Sequence, residues 1–138
     1  MKSEVGSVKS NGAYADVFKK SVTDPEAFWG AAAQEVSWKK GCDKVLDSSN
    51  PPFYKWFVGA ELNTCYNAID LQVENGRGDQ VAVIYDSPVT NTVAKLTYSQ
   101  LKDRVTKTAG MLKALGVGKG DRVILYMPMI PEALMGML

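Results

Sequence analysis

L-T-Y-S-Q-L-K-D-R-V-T-K-T-A-G-M-L-K-A-L-G-V-G-K-G-D-R-V-I-L-Y-M-P-M, residues 96–129, is the stretch whose reading decides the fold. Leu96, Thr97 and Tyr98 favour a pleated backbone. Ser99 offers a hydroxyl to the unpaired amides of a first helical turn and is the expected N-cap. Leu101, Val105, Ala109, Leu112 and Leu115 recur at three- and four-residue steps, which places them on one helical face. Lys102, Asp103, Arg104, Lys107 and Lys113 take the remaining surface. Gly116 stands where a helix commonly ends on a left-handed residue. Val123, Ile124, Leu125, Tyr126 and Met127 then form a nearly unbroken apolar run, the pattern of a strand covered on both faces. Such a strand needs parallel neighbours with helices above and below, and most of those neighbours are not in this sequence. The expected class is α/β, with the sheet incomplete within these residues.

Working back toward the amino terminus, residues 81–85 (V-A-V-I-Y) read as a short apolar strand. Asp86-Ser87-Pro88 breaks it, and residues 94–98 return as its antiparallel partner after a long connection. Leu62 to Asn75 reads as a helix with Leu62, Tyr66, Ile69 and Val73 in register and Gly76 just past its end. Asn63, Asn67 and Asp70 share its other side, where capping or solvation is favoured over a binding face. Residues 42–58 read as irregular, because Ser48-Ser49-Asn50-Pro51-Pro52 cannot continue a helix. Trp38, Trp56 and Phe57 are expected to pin that loop to a core rather than to stack on a ligand. Asp24, Pro25 and Glu26 form a strong helix start, and Phe28, Trp29, Ala32 and Val36 are the buried side of a helix that Lys39-Lys40-Gly41 ends. Tyr14 to Ser21 suggests a short helical turn, and residues 1–12 a mobile leader. On the other side, Pro131 and Glu132 open a last helix. The sequence stops at Leu138 inside an apolar helical run, as a truncated sequence does.

Composition narrows the function classes. In 138 residues, 46% are hydrophobic and 22% charged, ordinary values for a globular chain. A net charge of +1 gives no reason to expect nucleic acid or an anionic membrane as a partner. The absence of histidine excludes a Ser-His-Asp or Cys-His arrangement within these residues. Cys42 and Cys65 lack metal-site spacing and read as two reduced thiols. The polar start has no signal-peptide core, and its Glu4 without arginine argues against a mitochondrial presequence. No apolar run approaches the ~20 residues that span a bilayer.

Gly116-Val117-Gly118-Lys119-Gly120-Asp121 invites a phosphate-loop reading. That chemistry needs a strand before the glycines and a helix N-terminus after them. Here a helix ends at the glycines and a strand begins, so the motif reads as a helix stop and a turn. The residues alone reveal no active site.

The wording of the chain adds what the chemistry does not. D-P-E-A-F-W-G-A-A-A, then S-W, then W-F-V-G-A-E-L-N-T-C-Y-N-A-I-D resembles the amino-terminal region of short-chain acyl-CoA synthetases, the acetyl- and propionyl-CoA synthetases of the adenylate-forming superfamily. The resemblance continues through G-D-Q-V-A-V-I-Y-D-S-P-V-T-N-T, L-T-Y-S-Q-L and G-V-G-K-G-D-R-V-I-L-Y-M-P-M-I-P-E-A, and so covers about residue 14 to Leu138. The Y-D-S-P-V-T-N-T block looks more like the propionyl-preferring branch. The resemblance implies a helical amino-terminal region over 13–78 and the start of an AMP-binding domain over 79–138. It implies an ATP-dependent acid–thiol ligase: a short carboxylate, acetate or propionate, attacks the α-phosphate of ATP, and coenzyme A then displaces AMP from the acyl-adenylate. ATP, coenzyme A and Mg²⁺ would serve the full-length enzyme, in the mitochondrial matrix or cytosol. The family's phosphate loop, adenylate-binding segments and catalytic lysine have no counterpart among residues 1–138. No catalytic, cofactor-binding or metal residue is therefore assigned, no cofactor is expected on this portion, and it is expected to be inactive alone. Leu71-Gln72 stands where relatives commonly carry a basic pair. The other reading is a stand-alone interaction module docking on a full-length synthetase.

Overall fold

The computed structural model describes residues 12–138; the leader expected over 1–12 lies outside them except for Gly12. Contacts divide the chain into two units, one ending at Leu62 and the other beginning at Asn63.

In the first unit the expected short turn at Tyr14 is a full helix, α1 (Ala13–Thr23). Asp24 ends it and starts the next: its amide donates to the Lys20 carbonyl at 3.1 Å, while its carboxylate accepts from the Ala27 amide at 3.0 Å. Pro25 follows at the first position of α2 (Pro25–Ala32), as the sequence requires. The helix tightens into a 3₁₀ turn (Ala33–Glu35) and stops at the extended Val36, ahead of the expected Lys39-Lys40-Gly41 end. Gly30 has a packing reason: a Cβ there would sit 3.3 Å from Val45 Cγ2, a tight contact that Val45 would have to yield to by a few tenths of an ångström.

Residues 42–58 are not irregular. They hold an antiparallel hairpin, β1 (Lys44–Asp47) and β2 (Lys55–Val58), with Leu46 opposite Trp56. Four-residue strands are too short to show alternation in sequence. The Asp47 carboxylate accepts the Ser49 amide at 3.2 Å and turns the chain into the Pro-containing connection. The aromatics pin this hairpin as expected. Trp29 meets Trp56 edge-on at 6.5 Å, Phe57 lies 5.3 Å from Trp38, and the Trp38 indole donates to the Ala33 carbonyl at 2.8 Å.

The second unit carries the buried core. Its first element, α3 (64–77), is wound as wide π-helical turns over Tyr66–Asp70 and Val73–Arg77. Asn63 starts it by accepting the Tyr66 amide at 2.9 Å, so the helix begins just after Leu62, which is left exposed. Gly76, at φ +79° and ψ 13°, leaves the helical conformation, as expected of a glycine just past Asn75. β3 (Val81–Ser87) and β4 (Thr92–Thr97) form the expected hairpin, extended on both sides so that only residues 88–91 connect them. A bulge at Ala82 sets Val83 opposite Leu96. α4 (Tyr98–Ala114) and α5 (Pro131–Met137) complete the unit. Ile69, Leu96, Leu101, Val105 and Met135 meet as its core.

Two expectations are corrected here. The N-cap of α4 is Thr97, not Ser99: the Thr97 hydroxyl accepts from the Gln100 amide at 3.3 Å and the Gln100 side chain returns to the Thr97 amide at 3.0 Å. A capping box satisfies two amides at once, and T-x-x-Q outcompetes a lone serine inside the first turn. Thr97→Ala is expected to lower the stability of this unit by about 1 kcal/mol in denaturant titration, with Ser99→Ala much closer to neutral. Equal costs would return the cap to Ser99.

The second correction concerns residues 121–128, which join no ladder. A strand exists only through its neighbours' hydrogen bonds, and no described strand pairs with this run. Ile124 is 89% exposed and Tyr126 fully so. The face of α4 is likewise half used, with Leu101 and Val105 buried but Leu115 74% exposed. Gly116, at φ +89°, ends α4 as expected, and its amide and that of Val117 return to the Lys113 and Leu112 carbonyls.

Candidate functional site

Where helix α3 meets α4, four polar side chains converge. Lys102 of α4 binds Asp70 of α3 at 2.9 Å, and the Tyr66 hydroxyl donates to Glu74 at 2.7 Å. Tyr66 and Glu74 are eight residues apart, two π-helical turns, so the wide winding helps bring them to one side. The hydrogen bond to Asp70 holds the Lys102 ammonium above its ordinary pKa, and the Glu74 carboxylate beside Tyr66 does the same for the phenol. Burial, reinforced by the Asp70 charge, raises the Cys65 thiol, which keeps it a poor nucleophile at neutral pH.

Within this junction Lys102 is paired with Asp70 and the Glu74 carboxylate accepts the Tyr66 hydroxyl. For Tyr66 and Lys102 the folded state binds protons more tightly than the unfolded one. Their contribution is complete below the ordinary values of 10.0 and 10.5 and is lost as pH rises through the raised ones. Wild type is therefore expected to lose stability between about pH 9 and 12 more steeply than a Tyr66→Phe, Lys102→Met double variant, in denaturant titrations across that range. Parallel curves would show that the junction does not couple to folding.

The residues singled out in sequence are accounted for individually. Asn63 caps α3 as expected and the Asn67 side-chain amide donates to the Asn63 carbonyl at 3.0 Å, whereas Asp70, expected to cap or be solvated, is ion-paired with Lys102. Gln72, of the pair that departs from the family, donates to the Asn67 carbonyl at 3.1 Å. Cys42 is exposed, Cys65 half-buried, and both are unpaired thiols. No group of three metal-ligating side chains occurs among the described residues. At the glycine turn the Gly118 amide is taken by the Asp121 carboxylate at 2.8 Å. An anion of the protein itself thus holds the donor that a phosphate would need. Lys102 is the participant that sequence reading missed, because no local signal links it to Asp70, 32 positions earlier.

Apolar hollows also occur among the described residues, one of about 370 Å³ bordered by Lys20, Thr23, Asp24, Ala27 and Phe28. In the first unit, Trp29, Val36, Trp38 and Phe57 border a shallow notch of about 220 Å³. In the second, a groove of about 270 Å³ runs between β3 and α5, walled by Val83, Ile84, Tyr85, Ile130, Leu134 and Met137.

Comparison with known proteins supplies what these features do not. Residues 14–68 match the acetyl-coenzyme A synthetase N-terminus family, and residues 70–138 match the AMP-binding enzyme family. The chain is 54% identical over 127 residues to the mitochondrial acyl-CoA synthetase short-chain family member 3 of Bos taurus, covering 92% of this chain and 18% of that protein. It is 47% identical over 124 residues to the acetyl-coenzyme A synthetase of Streptomyces coelicolor, covering 90% of this chain and 19% of the relative. Among solved structures, the acetoacetyl-CoA synthetase from Streptomyces lividans matches 91% of this chain and 19% of its own, with a TM-score of 0.79 and 35% identity. The chain thus spans about a fifth of the length of the relatives it matches.

Proposed function

We propose that this chain, which belongs to the AMP-binding enzymes of the acetyl-coenzyme A synthetase type, is the amino-terminal portion of an ATP-dependent short-chain acid–CoA ligase. The observation that carries the proposal is the consecutive match to both families in order, joined to 54% identity across 92% of the chain. The reaction would join a carboxylate to coenzyme A through an acyl-adenylate, releasing AMP and pyrophosphate, with acetate or propionate as the acid. On this reading residues 13–78 are the amino-terminal region and residues 79–138 the opening of the AMP-binding domain. The compartment is the matrix or the cytosol, since relatives include a protein named mitochondrial and a bacterial one. No helix of the described residues is long and apolar enough to cross a membrane.

No residue described is assigned to ATP, coenzyme A or Mg²⁺. The glycine turn is closed by its own carboxylate, and no metal-ligating group of three is present among them. No catalytic step is therefore derived through them. What these residues supply is scaffold: the α3–α4 junction and a hairpin anchored to α4, on which the rest of an AMP-binding domain would build.

The test is carboxylate-dependent exchange of pyrophosphate into ATP, run with acetate and propionate in parallel. The full-length protein is expected to catalyse it, and residues 1–138 alone to give no exchange above background. Exchange by residues 1–138 would refute the scaffold role, and a folded but inactive full-length protein would refute the ligase assignment.

A further inference from the structure

Asn75 and Gly76 form an Asn-Gly pair at the end of α3, and both are exposed. Gly76 has no atom within 4 Å of the place a Cβ would take, so nothing screens its amide nitrogen on that side. The Asn75 side chain makes no hydrogen bond among the described residues. The other described asparagines stand differently. Asn50 precedes Pro51, whose nitrogen carries no proton. The Asn63 side-chain oxygen accepts the Tyr66 amide, and the Asn67 side-chain nitrogen donates to the Asn63 carbonyl. Asn91 precedes the branched Thr92 at the start of β4. A free carboxamide beside an unscreened amide nitrogen thus occurs, among these, at Asn75.

We propose that Asn75 is a site of spontaneous covalent modification, deamidation through a cyclic imide with Gly76. The Gly76 amide nitrogen, its proton lost to solvent base, attacks the Asn75 side-chain carbonyl carbon. A C–N bond forms there, the bond from that carbon to the side-chain nitrogen breaks, and ammonia leaves with a proton taken from water. Water then opens the imide at either carbonyl, giving aspartate or isoaspartate. The attack needs a backbone rotation at Asn75 that an intact helix resists. Helix ends open at almost no cost in free energy, and α3 leaves the helical conformation at Gly76, so its last turn supplies that rotation. The product carries a new carboxylate at the negative end of the helix dipole, next to the Glu74 that takes the Tyr66 hydroxyl. Isoaspartate also lengthens the backbone just ahead of Gly78. The Gly78 carbonyl accepts the Ser99 amide of α4 at 3.0 Å, and a Cβ on Gly78 would stand 2.6 Å from the Ser99 hydroxyl oxygen. The modification therefore acts on a close seam between the end of α3 and the first turn of α4.

Ageing the folded full-length protein in mildly alkaline buffer, with peptide mass spectrometry at intervals, tests this. Conversion at Asn75 is expected to run about tenfold or more faster than at Asn63, Asn67 and Asn91, and to give isoaspartate as well as aspartate. Asn75→Gln is expected to abolish it, because the larger ring forms far more slowly, and to leave the urea midpoint of fresh protein unchanged. Asn75 that stays intact while the other asparagines convert overturns the proposal. So does conversion seen only in urea-unfolded protein, which would mean that the end of α3 holds the pair closed. Hydrogen exchange of the Ser99 amide reads the consequence. It is expected to quicken in aged wild type and not in equally aged Asn75→Gln, and equal rates in the two would overturn the effect on the seam with α4.

Discussion

Ile69→Ala is expected to cost the second unit about 2–5 kcal/mol of unfolding free energy. Ile69 is 1% exposed, the most buried large side chain described, and it meets Leu96, Leu101, Val105 and Met135. Those partners come from β4, α4 and α5, so the cavity left by truncation lies where four elements join and cannot be closed by moving one of them. Domains have only ~5–15 kcal/mol in hand, so this one change removes a large share. Urea titration of the full-length protein, followed by proteolytic susceptibility of residues 63–138, is the measurement. Leu115→Ala, measured in residues 1–138, serves as control: Leu115 is 74% exposed there and its truncation is expected within about 0.5 kcal/mol of neutral. A cost below about 1 kcal/mol for Ile69→Ala would mean that the five-residue cluster is not the core on which the unit depends.

The same residues show what was legible in sequence and what was not. Ile69, Leu101 and Val105 were named from helical spacing, and all three are buried. The hairpin of residues 81–97 was readable because each strand exceeds four residues. β1 and β2 were not, since four residues flanking a proline-rich loop carry no periodicity. The wide winding over Tyr66–Asp70 has no sequence signature at the level of apolar spacing, whereas the break at Gly76 does. The Thr97 cap was overlooked because threonine also suits the strand it ends, and only Gln100 three positions on betrays the box. The family was legible through wording alone. Residue chemistry pointed to no active site, and Lys102 of α4 ties to Asp70 of α3 across a distance in sequence that no local pattern signals.

Ile124→Asp is expected to act with opposite signs in the two contexts, and the reason lies in the run Val123–Met127. In residues 1–138 the run is unpaired, with Ile124 89%, Tyr126 100% and Met129 93% exposed. A contiguous apolar stretch of strand-forming residues in that state promotes association. A carboxylate at position 124 interrupts it without removing any buried contact, so the isolated chain is expected to become more soluble in light scattering and sedimentation, with its helix content unchanged. Read as a strand covered on both faces, the run belongs in the interior of the full-length domain. There the substitution removes a buried isoleucine, about 2–5 kcal/mol, and adds an unpaired buried charge at further cost. The full-length variant is expected to express poorly and to lose pyrophosphate exchange. If instead it folds and exchanges like wild type, the run is a surface strap and the sheet is completed by other strands. If the isolated chain does not gain solubility, its association comes from another surface, and the apolar groove beside β3 is the next one to charge.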